Sequence, residues 1–403
     1  MTVPGRGPII NFVMRRNKEG GARPINASLM GDHHRSLILR LIQKHGPMSR
    51  AEIARTLGLA PSVVSRFVRE LLLDGCLVET ARAKTSAGRR PVLLEFNPNY
   101  GTAIGAHLQR HKAECALVNM GGDILSRWEL PFPARPHPED VLPRLAQAVN
   151  ALRQDNTLGV GIAVSGLVDL QTGEDVFSPV LEWREVALKG FIEENCGLPV
   201  HVENDANALA MAELLHGAAR NFSDFMCVMV GEGLGSGIVI GGRLHRGAFG
   251  GAGELGHTSI TIDEDAPLCR CGERGCLEEF CSNRALNRQA EALGYPDWRA
   301  LAAAARKGDL KARSVFHRFG HLLGLGIRNV VNIVNPQAVI IGGELMEASD
   351  LFLKTTTEVI QKHSFPPGRT APAVLPWQVG ETGFLVGAAG LIEEEFLSSP
   401  IRG

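Results

Sequence analysis

The chain has 403 residues, 44% of them hydrophobic and 21% charged, with a formal net charge of −1. That length fits two or three globular domains. The sequence holds no uncharged apolar run of about 18 residues or more that would span a membrane, and no basic stretch leading into an apolar core that would read as an export signal. The small net charge conceals a division. Residues 1–100 carry 16 Lys and Arg against 7 Asp and Glu, whereas the remainder carries 26 against 36. A basic head on an acidic body has the electrostatic outline of a nucleic-acid reader joined to something else; a basic solvated tail is the plainer alternative.

In chain order, residues 1–27 are rich in Gly, Pro, Arg and Asn and are expected to form a loose tail. Leu37, Ile38, Leu41 and Ile42 give the stripe of a first helix, which Gly46-Pro47 stops. Ser49 and Glu52 have the spacing of a capping box for a short second helix ending at Gly58. Pro61 suits the first position of a third helix. The apolar face of that helix is Val64, Phe67, Val68, Leu71 and Leu72, and its opposite face carries Ser62, Ser65, Arg66 and Arg69. Ala60 stands where a Ser or Asp cap would be expected. CLVET, a basic loop ending in Gly88-Arg89-Arg90, and VLLEF then read as a hairpin with a basic tip. Three helices and such a hairpin predict a winged helix-turn-helix, with the third helix in the major groove of double-stranded DNA and the wing on the backbone or minor groove.

From about residue 100 the texture becomes α/β. AIGAHLQ, AECALVNM, GVGIAVSG and VHVEN are short apolar runs, and MGGD between two of them marks a hairpin. Stretches 139–153 and 205–220 have helical spacing, GEGLGS is a Gly-rich turn between two strands, QAVIIGG is a further buried strand, and Thr382–Phe396 reads as a closing helix. No repeat of fixed period is evident.

Two constellations carry chemistry. Cys269, Cys271, Cys276 and Cys281 fall within 13 residues. In a chain expected in a reducing cytoplasm, such a cluster points to metal before disulfides. Three thiolates with one imidazole, His257 upstream, suit a closed tetrahedral Zn²⁺ site of structural kind, although spacing alone leaves Cys281 as an alternative fourth ligand. The second constellation is VENDANA, which puts Asn204 and Asp205 at the end of an apolar strand, where ligands of open α/β sheets collect. Asp205 could take a proton from a sugar hydroxyl, accept a hydrogen bond from it, or simply cap the next helix. With Glu254, His257 and Glu278 brought in by the cysteine loop, the acceptors would match a polyol.

Taken in this order, the winged helix, VENDANA, GELGH and CRCGERGC resemble the ROK family (repressors, open reading frames, kinases) from about residue 28 onward, and SRAEIARTLGLAPSVVSRFVRELLLDGCL with SAGRRP resembles its repressor branch. Composition sets off a tail at 1–27, the helix and hairpin pattern sets off a DNA-binding winged helix at 28–96, and the resemblance implies a two-lobed actin-like, sugar-kinase-like body at 97–403. It implies zinc at His257, Cys269, Cys271 and Cys276, and sugar contacts from Asn204, Asp205, Glu254, His257 and Glu278, with Asp205 where the kinases keep their base. The stretch VSGLVD…SPVLEW matches the part that closes over sugar, offering Ser178 and Trp183 as lining candidates.

The sequence departs from the kinase pattern in both phosphate loops. The DxGGT loop is replaced by His107, Gln109, Arg110 and His111, and Glu232 stands for the Thr of GTGxGxG. Losing two Gly keeps the backbone from phosphate, losing the Asp removes a Mg²⁺ contact, and Glu232 would repel phosphate. The expectation is therefore a sugar-responsive DNA-binding regulator, most simply a repressor, with a vestigial base, no ATP, and a homodimer or tetramer on pseudo-palindromic DNA. The alternatives are an active sugar kinase with a DNA-binding head, and a regulator controlled by a protein partner.

Overall fold

The computed structural model describes residues 27–80, 91–363, 365 and 371–398. The head comprises α1 (Ala27–His45), the two-residue strand β1 (Met48–Ser49), α2 (Arg50–Leu57), α3 (Pro61–Leu73), β2 (Leu77–Thr80) and β3 (Leu93–Phe96). Its strands pair antiparallel in the order β1-β3-β2. The capping box of α2 is formed: Ser49 Oγ accepts from the Glu52 N–H at 3.3 Å, and Glu52 Oε2 accepts from the Ser49 N–H at 2.8 Å. Gly58 ends the helix in the left-handed region, φ 66°. Val64, Phe67, Val68 and Leu71 are buried as the periodicity requires, and Leu72 is half-buried. The basic tip of the hairpin, with Arg89 and Arg90, lies outside the described residues.

The body has two lobes. The first holds β4 (Thr102–Leu108), β5 (Lys112–Asn119), β6 (Ile124–Pro131), α4 (Pro138–Leu152) and β7 (Thr157–Val164). A small sheet of β8 (Leu167–Val168), β9 (Asp175–Ser178) and β10 (Trp183–Val186) follows, then α5 (Leu188–Cys196), β11 (Val200–Asn204) and α6 (Asp205–His216). The second lobe holds β12 (Phe225–Val230), β13 (Leu234–Ile240), β14 (Arg243–Leu244), α7 (Asn283–Ala292), α8 (Trp298–Arg306), α9 (Leu310–Val334), β15 (Ala338–Gly342), α10 (Ser349–His363), β16 (Ala373–Pro376) and α11 (Gly383–Ser398). Among the described residues no helix is long and apolar enough to cross a membrane.

The main sheets run β6-β5-β4-β7-β11 and β14-β13-β12-β15-β16. In each, the first strand is central, with an antiparallel hairpin on one side and two parallel strands on the other. The lobes thus repeat one topology. The repeat has no sequence period because α4 alone separates β6 from β7, whereas the cysteine loop and α7 to α9 separate β14 from β15.

The last helix of each lobe crosses to the other lobe's sheet: α6 packs on β12 and β13, and α11 packs on β4 and β7. The two helices also pack on each other, and glycine makes the approach possible. A Cβ on Gly161 of β7 would lie 1.8 Å from the Ala388 carbonyl oxygen, and one on Gly387 would lie 1.8 Å from that of Ala208.

The far end of α11 carries the head. Arg40 of α1 donates from both Nη atoms to Glu394, at 2.9 and 2.6 Å, and Ser36 Oγ donates to the Leu397 carbonyl at 2.6 Å. Gln43 donates to Glu393, a buried carboxylate that also meets His216 Nε2 at 3.1 Å. Leu397 and Met120 of the body are part of the head's apolar core. The first and last described helices are therefore joined by both polar and apolar contacts.

Candidate sugar cleft, cysteine loop and DNA-facing helix

A cleft of about 560 Å³ lies between the lobes, and Asn204, Asp205, Glu254, His257 and Glu278 all line it. The start of α6 supplies the first two. Asn204 is the N-cap: its Oδ1 accepts from the Ala206 and Asn207 N–H groups at 2.9 and 3.4 Å, and its Nδ2 donates to the Gly166 carbonyl at 3.0 Å. Asn204 is the cap, and Asp205 adds a bond of its own to the same turn, its Oδ1 accepting from the Ala206 N–H at 2.8 Å. Asp205 is buried, and burial pushes its carboxyl up to about 7; the Ala206 N–H and the Ser165 hydroxyl oppose this, and Glu254 reinforces it.

The other three residues hang on the cysteine loop. Glu278 is fixed from two sides: its Oε2 accepts from the Leu234 N–H at 3.0 Å, and its Oε1 accepts from Arg284 at 3.0 Å. Glu254 lies 3.8 Å from His257 Nε2. Glu254 is half-exposed at the cleft wall; partial desolvation there raises its carboxyl, His257 draws it down, and Glu278 raises it. Two carboxyl groups held above their ordinary range beside a third acceptor suit a neutral ligand rich in hydroxyl donors better than an anion.

Ser178 and Trp183 do not line the cleft. Ser178 Oγ donates to the Ser165 carbonyl at 2.6 Å, Trp183 Nε1 donates to the Pro136 carbonyl at 2.7 Å, and both side chains are buried. Their alternation on β9 and β10 turns them into the lobe, and it is Phe177, Pro179 and Val180 that face the cleft. Ser165 and Phe384 also line it, and neither was singled out from the sequence. Ser165 follows β7 in a Gly-containing turn beside Asp205, a position with no local signal of its own.

The positions implied by the resemblance to have bound nucleotide are rebuilt. His107 stacks on Phe384, with ring centroids 4.5 Å apart and planes at 17°. Burial, with Lys112 nearby, pushes its imidazole down to about 4, so the ring is neutral near pH 7. Gln109 Nε2 donates to Glu114 at 2.7 Å. Arg110 and Glu232 form an ion pair across the cleft.

In the cysteine loop, one ligand atom from each of His257, Cys269, Cys271 and Cys276 lies within 4.8 Å of the others. Cys269 Sγ is 3.6 Å from His257 Nδ1, and Cys271 Sγ is 3.6 Å from Cys276 Sγ. No disulfide joins them. Cys281 is turned away and buried, its thiol directed at the Phe319 carbonyl, 3.7 Å distant. The donor set therefore fits a tetrahedral metal of the Zn²⁺ type, with His257 and not Cys281 as fourth member. With Nδ1 toward the thiols and Nε2 toward Glu254, one ring connects the metal-type cluster to the cleft.

On the head, Ser62, Arg66 and Arg69 are exposed along α3 and Ser65 is half-buried. Arg66 lies over the Phe67 ring, 4.4 Å from its centroid. Arg35 of α1 pairs with Glu70, which ties the base of α3 and leaves its outer face to solvent.

A winged-helix head on a two-lobed, sugar-kinase-like body defines the class of protein: one fold that serves regulators and kinases alike. The chain belongs to the ROK family, whose model matches residues 103–395, and a winged helix-turn-helix DNA-binding model matches residues 32–78. It is similar to the xylose repressor of Bacillus spizizenii, 31% identical over 373 residues that cover 90% of this chain and 96% of that protein. A solved ROK family transcriptional regulator, a homolog of the Escherichia coli MLC protein, matches with a TM-score of 0.78 at 28% identity over 92% of this chain and 97% of that one. A ROK family glucokinase from Streptomyces griseus, solved with glucose and AMPPNP, matches with a TM-score of 0.64 at 33% identity over 72% of this chain and 99% of that one.

Proposed function

We propose that this protein is a sugar-responsive transcriptional repressor that binds operator DNA through its head and leaves it when a sugar occupies the cleft. The observation that carries the reading is the contrast within one cleft: the sugar-facing acceptors are assembled, while the end of β4 and the turn after it carry His107, Gln109 and Arg110, each engaged by protein. The likeness to a xylose repressor over nearly the whole of both chains supports it. Asp205, Glu254, His257 and Glu278 contact the sugar, and Asn204 aligns Asp205 as the helix cap. Asp205 acts as an acceptor and not as a base, since no phosphoryl donor is expected. Zn²⁺ held by His257, Cys269, Cys271 and Cys276 is structural: it fixes the loop from which Glu254 and Glu278 project.

On DNA, Arg66 and Arg69 meet phosphate or base edges, Ser62 and Ser65 lie against the groove, and Arg89 and Arg90 of the wing reach the minor groove. The functional parts are 1–27, 28–96 and 97–403. One winged helix reads few base pairs, so a homodimer or a tetramer on a pseudo-palindrome completes the reader. The test is DNA binding at fixed salt, using the region upstream of the protein's own gene, against aldoses, N-acetylhexosamines and their phosphates, each with and without ATP. Tight binding released by one sugar and indifferent to ATP supports the repressor. A response that requires ATP, or sugar-dependent ATP turnover, favours the kinase to which the chain is also similar.

A further inference from the structure

The turns of the first hairpins in the two lobes occupy equivalent places in the repeated topology. The β4–β5 turn is closed by the Gln109 N–H donating to the Lys112 carbonyl at 2.8 Å, and the β12–β13 turn by the Gly231 N–H donating to the Gly233 carbonyl at 3.0 Å. Arg110 sits in the first turn and Glu232 in the second, 122 positions apart in the chain, and they pair across the cleft. Each is attached to the proposed sugar site through the backbone. Two residues beyond Glu232, the Leu234 N–H holds Glu278 at 3.0 Å. Two residues before Arg110, Leu108 pairs with Val164 of β7, which precedes Ser165 and so the hydroxyl facing Asp205. The turn of Glu232 is anchored further by the Asn283 N–H donating to the Gly231 carbonyl at 2.7 Å. The Nε of Arg110 is buried and makes no hydrogen bond among the described residues, so the guanidinium is only partly used by Glu232.

We propose that Arg110 and Glu232 are positioning residues that form a clasp between the lobes, so that the cleft closes on sugar alone. Glu232 repels a nucleotide phosphate, and Arg110 stands where glycine would let the backbone approach one; between themselves the two side chains are complementary. A cation in one turn and an anion in the other draw together two loops that a polyphosphate could otherwise bridge. The clasp therefore fills the place of the phosphate and couples Glu278 on one side to Asp205 on the other. This inference rests on the sugar reading of the cleft, and its test separates the two.

Full-length protein would be titrated by calorimetry with D-xylose and D-glucose. Arg110→Glu and Glu232→Arg are each expected to weaken the sugar that wild type binds by about tenfold, a half-exposed pair turned into like charges. The double swap should return to within about twofold of wild type. Losses that simply add in the double variant overturn the clasp while leaving the sugar reading intact. Millimolar ATP is expected to leave the wild-type sugar affinity unchanged, and tightening by ATP overturns the proposal. A readout without ligand is amide hydrogen exchange. Arg110→Glu should speed exchange at 231–234, in the opposite lobe, and the double swap should restore protection. If wild type binds neither sugar, the sugar reading is in difficulty, but exchange still decides the clasp: unaltered protection at 231–234 overturns it.

Discussion

The burial of Asp205 makes sugar affinity dependent on pH in a defined direction. Its carboxyl is held up to about 7, against an ordinary 3.8, first by burial. Sugar hydroxyls donating to it favour the ionised form, so the bound-state value falls below the free one and binding releases a proton between the two. With a free value near 7, about a tenth of the sites are ionised at pH 6 and about nine-tenths at pH 8. Affinity should therefore rise by about tenfold from pH 6 to pH 8 and level off above, at about 1.4 kcal/mol per decade. Calorimetry in buffers of different ionisation enthalpy should find close to one proton released per sugar at pH 6 and little at pH 8. Asp205→Asn should bind weakly with a flat profile, which separates this carboxyl from Glu254. The sign for stability is opposite. An acid whose folded value is raised costs stability as pH climbs from about 4 to about 7 and adds no further slope above. Asp205→Asn should therefore stabilise the sugar-free protein at pH 8, by at most about 4 kcal/mol. A wild-type affinity that does not change across this range, with no proton released, would falsify the assignment of Asp205 as the ionised acceptor.

Other consequences can be measured directly. Cys271→Ser should lose its metal by elemental analysis and lower the melting temperature, while Cys281→Ser should keep one equivalent of zinc; loss of zinc from the second and not the first would reverse the ligand assignment. Gly387→Ala drives a Cβ into the Ala208 carbonyl and should cost about 1–3 kcal/mol in denaturant unfolding. Gly190→Ala on α5 meets nothing within 4 Å and should be neutral or stabilising by up to about 1 kcal/mol; equal effects at the two sites would mean that α6 and α11 are not closely packed. Arg69→Ala should weaken all DNA sequences about equally and reduce the slope of log affinity against log salt by about one; an unchanged slope removes Arg69 from the phosphate contacts. Glu393→Ala, which strips His216 and Gln43 of their shared partner, should leave sugar affinity within about twofold while diminishing the release of DNA by sugar, with stability lowered by about 1–3 kcal/mol. A variant released as readily as wild type would exclude this contact from signalling.

The head could be read from the sequence because its determinants are local. The Ser49–Glu52 box, the left-handed Gly58 and Pro61 at the start of α3 each act within one turn of chain, and each is present as expected. The buried strands β4, β5, β7, β11, β12, β13 and β15 are similarly legible as apolar runs between Gly-containing turns, whereas the largely exposed β6 and the short β8, β9, β10, β14 and β16 carry no such run. Of the candidate site, the cysteine loop was legible from spacing, and the choice of His257 over Cys281 needed the fold, because Cys281 differs only in where its thiol points. The repeated topology was not legible, since unequal insertions erase any period. The Ser178 and Trp183 positions turned inward because the pleat assigns alternate residues to alternate faces, and the phase of a short strand is not set by its composition. The Arg110–Glu232 contact had no signature in either turn alone, where each residue looks only like damage to a phosphate loop. Long-range pairing of this kind is a property of topology, and the sequence shows only its two halves.

The junction of α1 with the end of α11 bears on how this molecule can be rebuilt. A DNA-binding module that touched its body only through the peptide linker could be exchanged freely among relatives to make new combinations of operator and effector. Here the module shares its apolar centre with Leu397 and Met120 and its polar rim with Glu393 and Glu394. A chimera that replaced residues 28–96 and kept the native C-terminus would therefore set foreign side chains against Glu394 and Leu397. Grafts should succeed when the closing turns of α11 travel with the head as a matched pair, so the portable unit consists of two segments drawn from opposite ends of the chain.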